Sequence, residues 1–130
     1  MADRSWDWMA QAERDLEVAR ANAEQEYHEW ACFAAQQAAE KALKAALYSR
    51  LRESRTHSLR LLLGDIDENA PETAVQAARV LDRYYIPTRY ANGHDSGPPF
   101  SYYGPPESRQ AIEYADLLVK FARSRMAQSR

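Results

Sequence analysis

The segment from Phe33 to Leu47, Phe-Ala-Ala-Gln-Gln-Ala-Ala-Glu-Lys-Ala-Leu-Lys-Ala-Ala-Leu, restricts the fold of this chain more than any other. At about 100° per residue, Ala31, Ala34, Ala35, Ala38, Ala39, Ala42, Leu43, Ala45, Ala46 and Leu47 fill an arc of roughly 220° on a helical wheel, too wide for a helix with one buried face. A helix lined so fully with small side chains belongs at the centre, close to several neighbours. The remaining narrow arc carries Gln37, Glu40, Lys41 and Lys44, bordered by Trp30, Phe33, Tyr48 and Leu51. Long polar side chains beside aromatic ones make a candidate binding strip. The alternative is a solvated face on which Glu40 and Lys44 pair at i,i+4 for a few tenths of a kcal/mol.

A chain of 130 residues has room for one domain and one hydrophobic core. With 45% hydrophobic and 28% charged residues it reads as a soluble globular protein. No apolar run approaches the roughly 18 residues that cross a bilayer, so no membrane contact is expected. The start, Met-Ala-Asp-Arg-Ser-Trp-Asp, has neither the basic opening nor the apolar centre of a secretion signal, and the expected location is the cytoplasm. The single cysteine, Cys32, cannot close an internal disulfide and is read as core; one cysteine and three scattered histidines do not make a zinc site, so no metal is expected. A net charge of −2 argues against a general nucleic-acid binder. Its distribution is uneven: residues 1–40 carry three basic and nine acidic side chains, whereas residues 41–60 carry six basic ones opposed only by Glu53.

Along the chain, Met9, Ala12, Leu16, Ala19 and Ala23 follow the spacing of a packing stripe on a first helix that opens near Ser5. The second helix runs from about Tyr27 to Leu51, and Arg52 to His57 reads as a connector. Ser58 caps a short third helix bearing Leu59, Leu62, Leu63 and Ile66, with Gly64 as its weak point or early stop. Pro71 suits the first turn of a fourth helix, whose inward face is Ala74, Ala78, Leu81 and Tyr85 and which ends before Pro87. A fifth begins around Pro106 with Ala111, Tyr114, Ala115, Leu118, Phe121 and Ala122 on one side. Between them, residues 86–106 hold five of the six prolines and three of the four glycines. The aromatics in and beside this loop predict an ordered flap rather than a disordered linker. The fold expected is all-α: an antiparallel up-down bundle of four to five helices with a long ordered Pro/Gly/Tyr-rich loop before the last.

Several stretches then combine: Trp8 and Asp15-Leu16; Phe33-x-x-Gln36-Gln37-Ala38-Ala39-Glu40-Lys41-Ala42-Leu43-Lys44-Ala45; Thr56-His57-Ser58-Leu59; Leu81-Asp82-x-x-Tyr85; Thr88-Arg89-Tyr90; and Tyr102-Tyr103 in the Gly-Pro loop. In this order, over about residues 5 to 125, they resemble the HEPN domain family of small bacterial and archaeal proteins. The resemblance implies a helical bundle that commonly forms a homodimer and is proposed to bind nucleotides. It also implies a minimal nucleotidyltransferase as partner, in arrangements that resemble toxin and antitoxin pairs. Some branches of the family are ribonucleases with an Arg, four to six residues and a His at the last long helix.

Metal-independent RNA cleavage needs a His to move protons and an Arg to stabilise charge on phosphorus. The spacing occurs at Arg52 with His57, Arg50 with His57, and Arg89 with His94. About one such match is expected by chance in a chain this rich in arginine, and the last helix contains no histidine. The expectation is therefore a protein that is not an enzyme, with the ribonuclease as alternative and Arg52, His57, Arg89 and His94 as its candidates. A purely structural dimerisation module is the second alternative. For a nucleotide, Arg89 and Tyr90 begin the flap, Lys41, Lys44 and Gln37 lie on the central helix, and Tyr102 and Tyr103 offer rings for the base. If the flap folds over the strip, the three cations converge. The opposing account has these tyrosines sealing the bundle and Arg89 paired to Asp82 or Glu40. Gln36 falls between Leu43 and Leu47 on the apolar arc, where an unpaired amide costs about 1 to 3 kcal/mol. No phosphate-loop or dinucleotide fingerprint is present, and no cofactor is expected.

Overall fold

The computed structural model describes residues 3–126, which form five α-helices: α1 (Ser5–Glu24), α2 (His28–Tyr48), α3 (Leu59–Ile66), α4 (Glu72–Leu81) and α5 (Pro105–Ser124). Three short 3-10 turns, Asp82–Tyr84, Ala91–Gly93 and Pro99–Tyr102, punctuate the segment between α4 and α5. No strand occurs among the described residues, and none of their helices is long and apolar enough to cross a membrane.

The bundle is organised by α2. Ala31, Ala35, Ala38, Ala39, Ala42, Ala45 and Ala46 are all fully buried, so α1 on one side and α5 on the other approach its backbone closely. Larger groups fill the spaces between: Met9 and Leu16 from α1, Leu43 and Leu47 from α2, Leu118 from α5. Each such side chain contributes about 1.5 to 3 kcal/mol on leaving water. The short α3 and α4 close the remaining side with Leu59, Leu62, Ala74, Ala77, Ala78 and Leu81.

Helix boundaries follow local chemistry. The Ser58 hydroxyl accepts from the Leu61 amide at 3.2 Å, and Asp82 reaches across from the end of α4 to accept from the amides of Leu59 (2.6 Å) and Arg60 (3.2 Å). Three donors at the start of α3 are thereby satisfied. At the start of α5 the Glu107 carboxylate accepts from the Gly104 amide at 2.8 Å, while Pro105 and Pro106 occupy the first turn. The end of α2 is turned by Leu51, a non-glycine residue with φ of 62° whose side chain is 93% exposed.

Three expectations change. α2 stops at Tyr48, three residues short of Leu51, because the turn begins there. α3 runs through Gly64 without a break, its buried leucines outweighing one glycine on the open side. Tyr84, not Tyr85, faces the core, because the chain passes from α-helix to the tighter 3-10 turn at Asp82 and rotates the following side chains.

The flap is ordered by bonds within itself. Thr88, fully enclosed, donates to the Tyr84 carbonyl at 2.7 Å, and the His94 Nε2–H donates to the Pro87 carbonyl at 2.7 Å. The His94 ring stacks on Tyr102 with centroids 4.0 Å apart, and the Tyr102 hydroxyl donates to the Ser96 carbonyl. Gly93 lies so near Pro87 that a Cβ there would sit 2.9 Å from its Cα. Tyr103 meets Tyr84 edge-on at 5.7 Å and joins the flap to the core.

Candidate functional site

The polar arc of α2 is a built network rather than a solvated face. Glu40 and Lys44 retain only 5% and 7% exposure, and the Lys44 Nζ donates to Glu40 Oε2 at 3.0 Å. Gln36, wholly buried, donates to Glu40 Oε1 at 3.2 Å and accepts from Gln37 at 2.8 Å, so its amide is satisfied inside the apolar arc. The connector after α2 adds His57, whose Nδ1 lies 3.0 Å from Glu40 Oε2. A carboxylate can only accept from Nδ1–H, which leaves Nε2 as the ring nitrogen not engaged by Glu40. That ring stacks on Tyr85 at 4.4 Å, and about half of the side chain remains open to solvent.

Tyr85 extends the strip toward the flap. Its ring lies 6.2 Å from Phe33, which in turn meets Trp30 edge-on. The Arg89 guanidinium sits over Phe33 (4.2 Å), Tyr85 (4.8 Å) and Tyr90 (5.0 Å) and donates to the Tyr85 carbonyl at 2.7 Å. A continuous ribbon of rings, with the Arg89 guanidinium laid over it, thus runs from Trp30 to His57. Where it ends, His57, Ser58, Asp82, Arg83, Tyr85, Ile86 and Pro87 line an open depression of about 410 Å³. Arg83 is exposed there.

The expected residues separate into groups. Arg89, Tyr90, Gln37 and Lys44 belong to this strip, while Lys41 is drawn to α1, where its Nζ lies 2.6 Å from Asp15. Each of the three cations has its own partner. Arg89 pairs with neither Asp82, which caps α3, nor Glu40, which serves Lys44 and His57. Tyr102 and Tyr103 pack within the flap against His94 and Tyr84. Of the Arg and His pairs, Arg52 donates to the Asp65 carbonyl at 2.7 Å, away from His57, and Arg50 to the Arg125 carbonyl at 2.7 Å. His94 is a flap brace. Periodicity did not expose the bridge from Glu40 to His57, nor the roles of Tyr85, Asp82 and Arg83. The local signal was the run Gln36, Glu40, Lys44, three polar residues at i,i+4 spacing on a helix otherwise lined with alanine.

Cys32 is buried, and that burial pushes its thiol up to about 12, with the charges of Glu107 and Glu29 adding to the effect. Tyr84 is likewise pushed up to about 12, chiefly by burial. Neither group is an available nucleophile at neutral pH.

The all-helical order, with a polar strip on the central helix and a crossing flap before the last, defines a class that the sequence comparison identifies. The profile of the HEPN domain matches residues 5–125, and the chain belongs to this family. Among solved structures it is similar to the protein TT1696 from Thermus thermophilus, at 40% identity and a TM-score of 0.92, covering 95% of this chain and 99% of that one. It is also similar to ST0689, an archaeal HEPN homologue, at 37% identity and a TM-score of 0.84, covering 97% and 100%. The HEPN domain protein TM0613 from Thermotoga maritima is 30% identical with a TM-score of 0.72, covering 91% and 95%. No curated protein matches the sequence.

Proposed function

We propose that this protein is a nucleotide-binding regulatory subunit, a homodimer in the cytoplasm, that works with a minimal nucleotidyltransferase in a pair of the toxin-antitoxin kind. The observation that carries the nucleotide reading is the depression at the end of the ribbon. One face of the His57 ring is backed by Tyr85, leaving the other for a base, with Arg83 at the same rim for a phosphate. Stacking on such a ring is worth about 1 to 3 kcal/mol, and an arginine adds a charge-assisted bond. The anchoring of Nδ1 to Glu40 holds the ring in place before a ligand arrives, which lowers the cost of ordering it. Exposed Trp30, Ile86, Tyr90 and Phe100 give the homodimer an apolar surface. Titration calorimetry with AMP and GMP tests the site: His57→Ala and Arg83→Ala each weaken binding about tenfold or more, and failure of millimolar nucleotide to bind the wild type removes the reading.

A second reading, a metal-independent ribonuclease, is favoured by one observation. Glu40 holds His57 Nδ1 as a carboxylate holds the imidazole of a general base, and His57 lines the open depression. In this reading Arg83, not Arg52, is the neighbouring cation. RNA incubated in EDTA decides it: cleavage by the wild type that is lost in His57→Ala supports the nuclease, and intact RNA rejects it.

A further inference from the structure

Among the described residues the cations that are buried or half-buried are Lys41, Lys44, Arg89 and Arg125. Lys41 meets a carboxylate at Asp15, Lys44 at Glu40 and Arg125 at Asp67. Arg89 meets none among the described residues. Its Nε and Nη2 both donate to one backbone carbonyl, that of Tyr85, and its guanidinium lies over the rings of Phe33, Tyr85 and Tyr90. Tyr90, and Trp30 on the far side of Phe33, are exposed. Trp, Tyr and Arg are the residues that most often anchor contacts between proteins, and a guanidinium set among rings without a counter-charge is half of such an anchor.

A carboxylate stands at the near end of the same helix. The turn after α1 is closed by the Glu26 amide on the Ala23 carbonyl (3.1 Å) and the Tyr27 amide on the Asn22 carbonyl (2.8 Å), and Glu26 is left-handed there, with φ of 68°. Helices ordinarily give this position to glycine. The glutamate strains the backbone, yet its side chain is exposed and in no ion pair among the described residues, so it stabilises nothing within its own chain. Along α2 the order is therefore carboxylate, rings, guanidinium: Glu26 in the turn, Tyr27 and Trp30 at the start of the helix, and Phe33 beneath Arg89 one turn further on. Such a surface is its own complement. A two-fold axis near Trp30 reverses the order in a second copy, so that each carboxylate falls opposite the other copy's guanidinium and rings meet rings. We infer that two copies of this chain join across this patch, each Arg89 receiving the carboxylate of the other copy's Glu26, within the homodimer proposed above, on which this rests.

Sedimentation equilibrium of the full chain tests the pairing. Glu26→Lys and Arg89→Glu each raise the dimer dissociation constant about tenfold or more, because like charges then face each other. An equimolar mixture of the two variants restores the wild-type constant, since a dimer with one copy of each has opposite charges at both contacts. Glu26→Gly raises the melting temperature of the dilute, dissociated chain and yet weakens the dimer, a combination that a role within the chain would not produce. Should Arg89→Glu fail to fold, Glu26→Lys and Glu26→Gly, both in an exposed turn, decide the matter. A wild-type dimer that Glu26→Lys leaves intact, or folded single variants that dissociate and do not recover on mixing, overturns the inference while the homodimer stands. A wild type that is monomeric at every concentration removes both.

Discussion

The buried pair of Glu40 and Lys44 makes a demand on stability that can be measured. Their side chains retain 7% and 9% exposure, and their charges meet at 3.0 Å. Such a pair contributes little over an apolar substitute, yet removing one partner strands the other charge in the interior at a cost of about 3 to 5 kcal/mol. Lys44→Met strands the carboxylate, and Glu40→Gln strands the ammonium. With roughly 2.1 cal/mol/K of unfolding entropy per residue over 130 residues, a loss of that size lowers the melting temperature by about 11 to 18 °C. The double variant Glu40→Gln/Lys44→Met removes both charges; its amide oxygen still accepts from Gln36, and its nitrogen, in the place of Oε2, donates to Nδ1 of His57 in the other tautomer. It therefore returns to within about 1 kcal/mol of the wild type, a coupling of at least about 5 kcal/mol in the double-mutant cycle. Urea unfolding followed by circular dichroism supplies all four corners. Single substitutions costing under about 1 kcal/mol, or costs that merely add, would refute the argument that this network is desolvated.

Leu51→Gly relieves a left-handed backbone without losing any packed side chain, so it raises stability by about 0.5 to 1 kcal/mol. A lower melting temperature would mean that the leucine makes a contact after all. Asp82→Ala deprives α3 of the cap that the end of α4 supplies and costs about 1 to 2 kcal/mol in the same urea assay; no loss would show that Ser58 suffices. Alkaline pH destabilises the fold through Cys32 and Tyr84. The folded state keeps protons that the unfolded chain releases, so stability is full below about pH 9, the ordinary thiol value, and declines as pH rises toward about 12. Equilibrium unfolding between about pH 8 and 11 checks this, and a flat profile contradicts it. In the folded protein iodoacetamide leaves Cys32 unmodified at about pH 8, and the thiol reacts only on addition of denaturant.

Much of the bundle was legible because its information is local. The alanine lattice of α2, the stripe of Met9, Ala12, Leu16 and Ala19, and the cap at Ser58 are all periodic or adjacent in sequence. What escaped was long-range or depended on a change of helical type. The bond from His57 to Glu40 spans seventeen positions and that from Asp82 to Leu59 twenty-three, and no periodicity encodes either. The exchange of Tyr84 for Tyr85 follows from a switch of helical pitch that the residue types do not announce. The strip itself was visible as an arc on a wheel. Which cations remained free on it was not, because Lys41 answers to Asp15 on another helix.

The crossing segment before α5 is fastened mainly to itself, through His94, Tyr102, Thr88 and the tight seat of Gly93 on Pro87. It therefore acts as a finished clasp and not as a gate. A molecule arriving at the neighbouring surface meets a contour already set, with no wandering strand to be tamed first. Capture there is governed by encounter and charge, and release by how firmly the visitor is gripped.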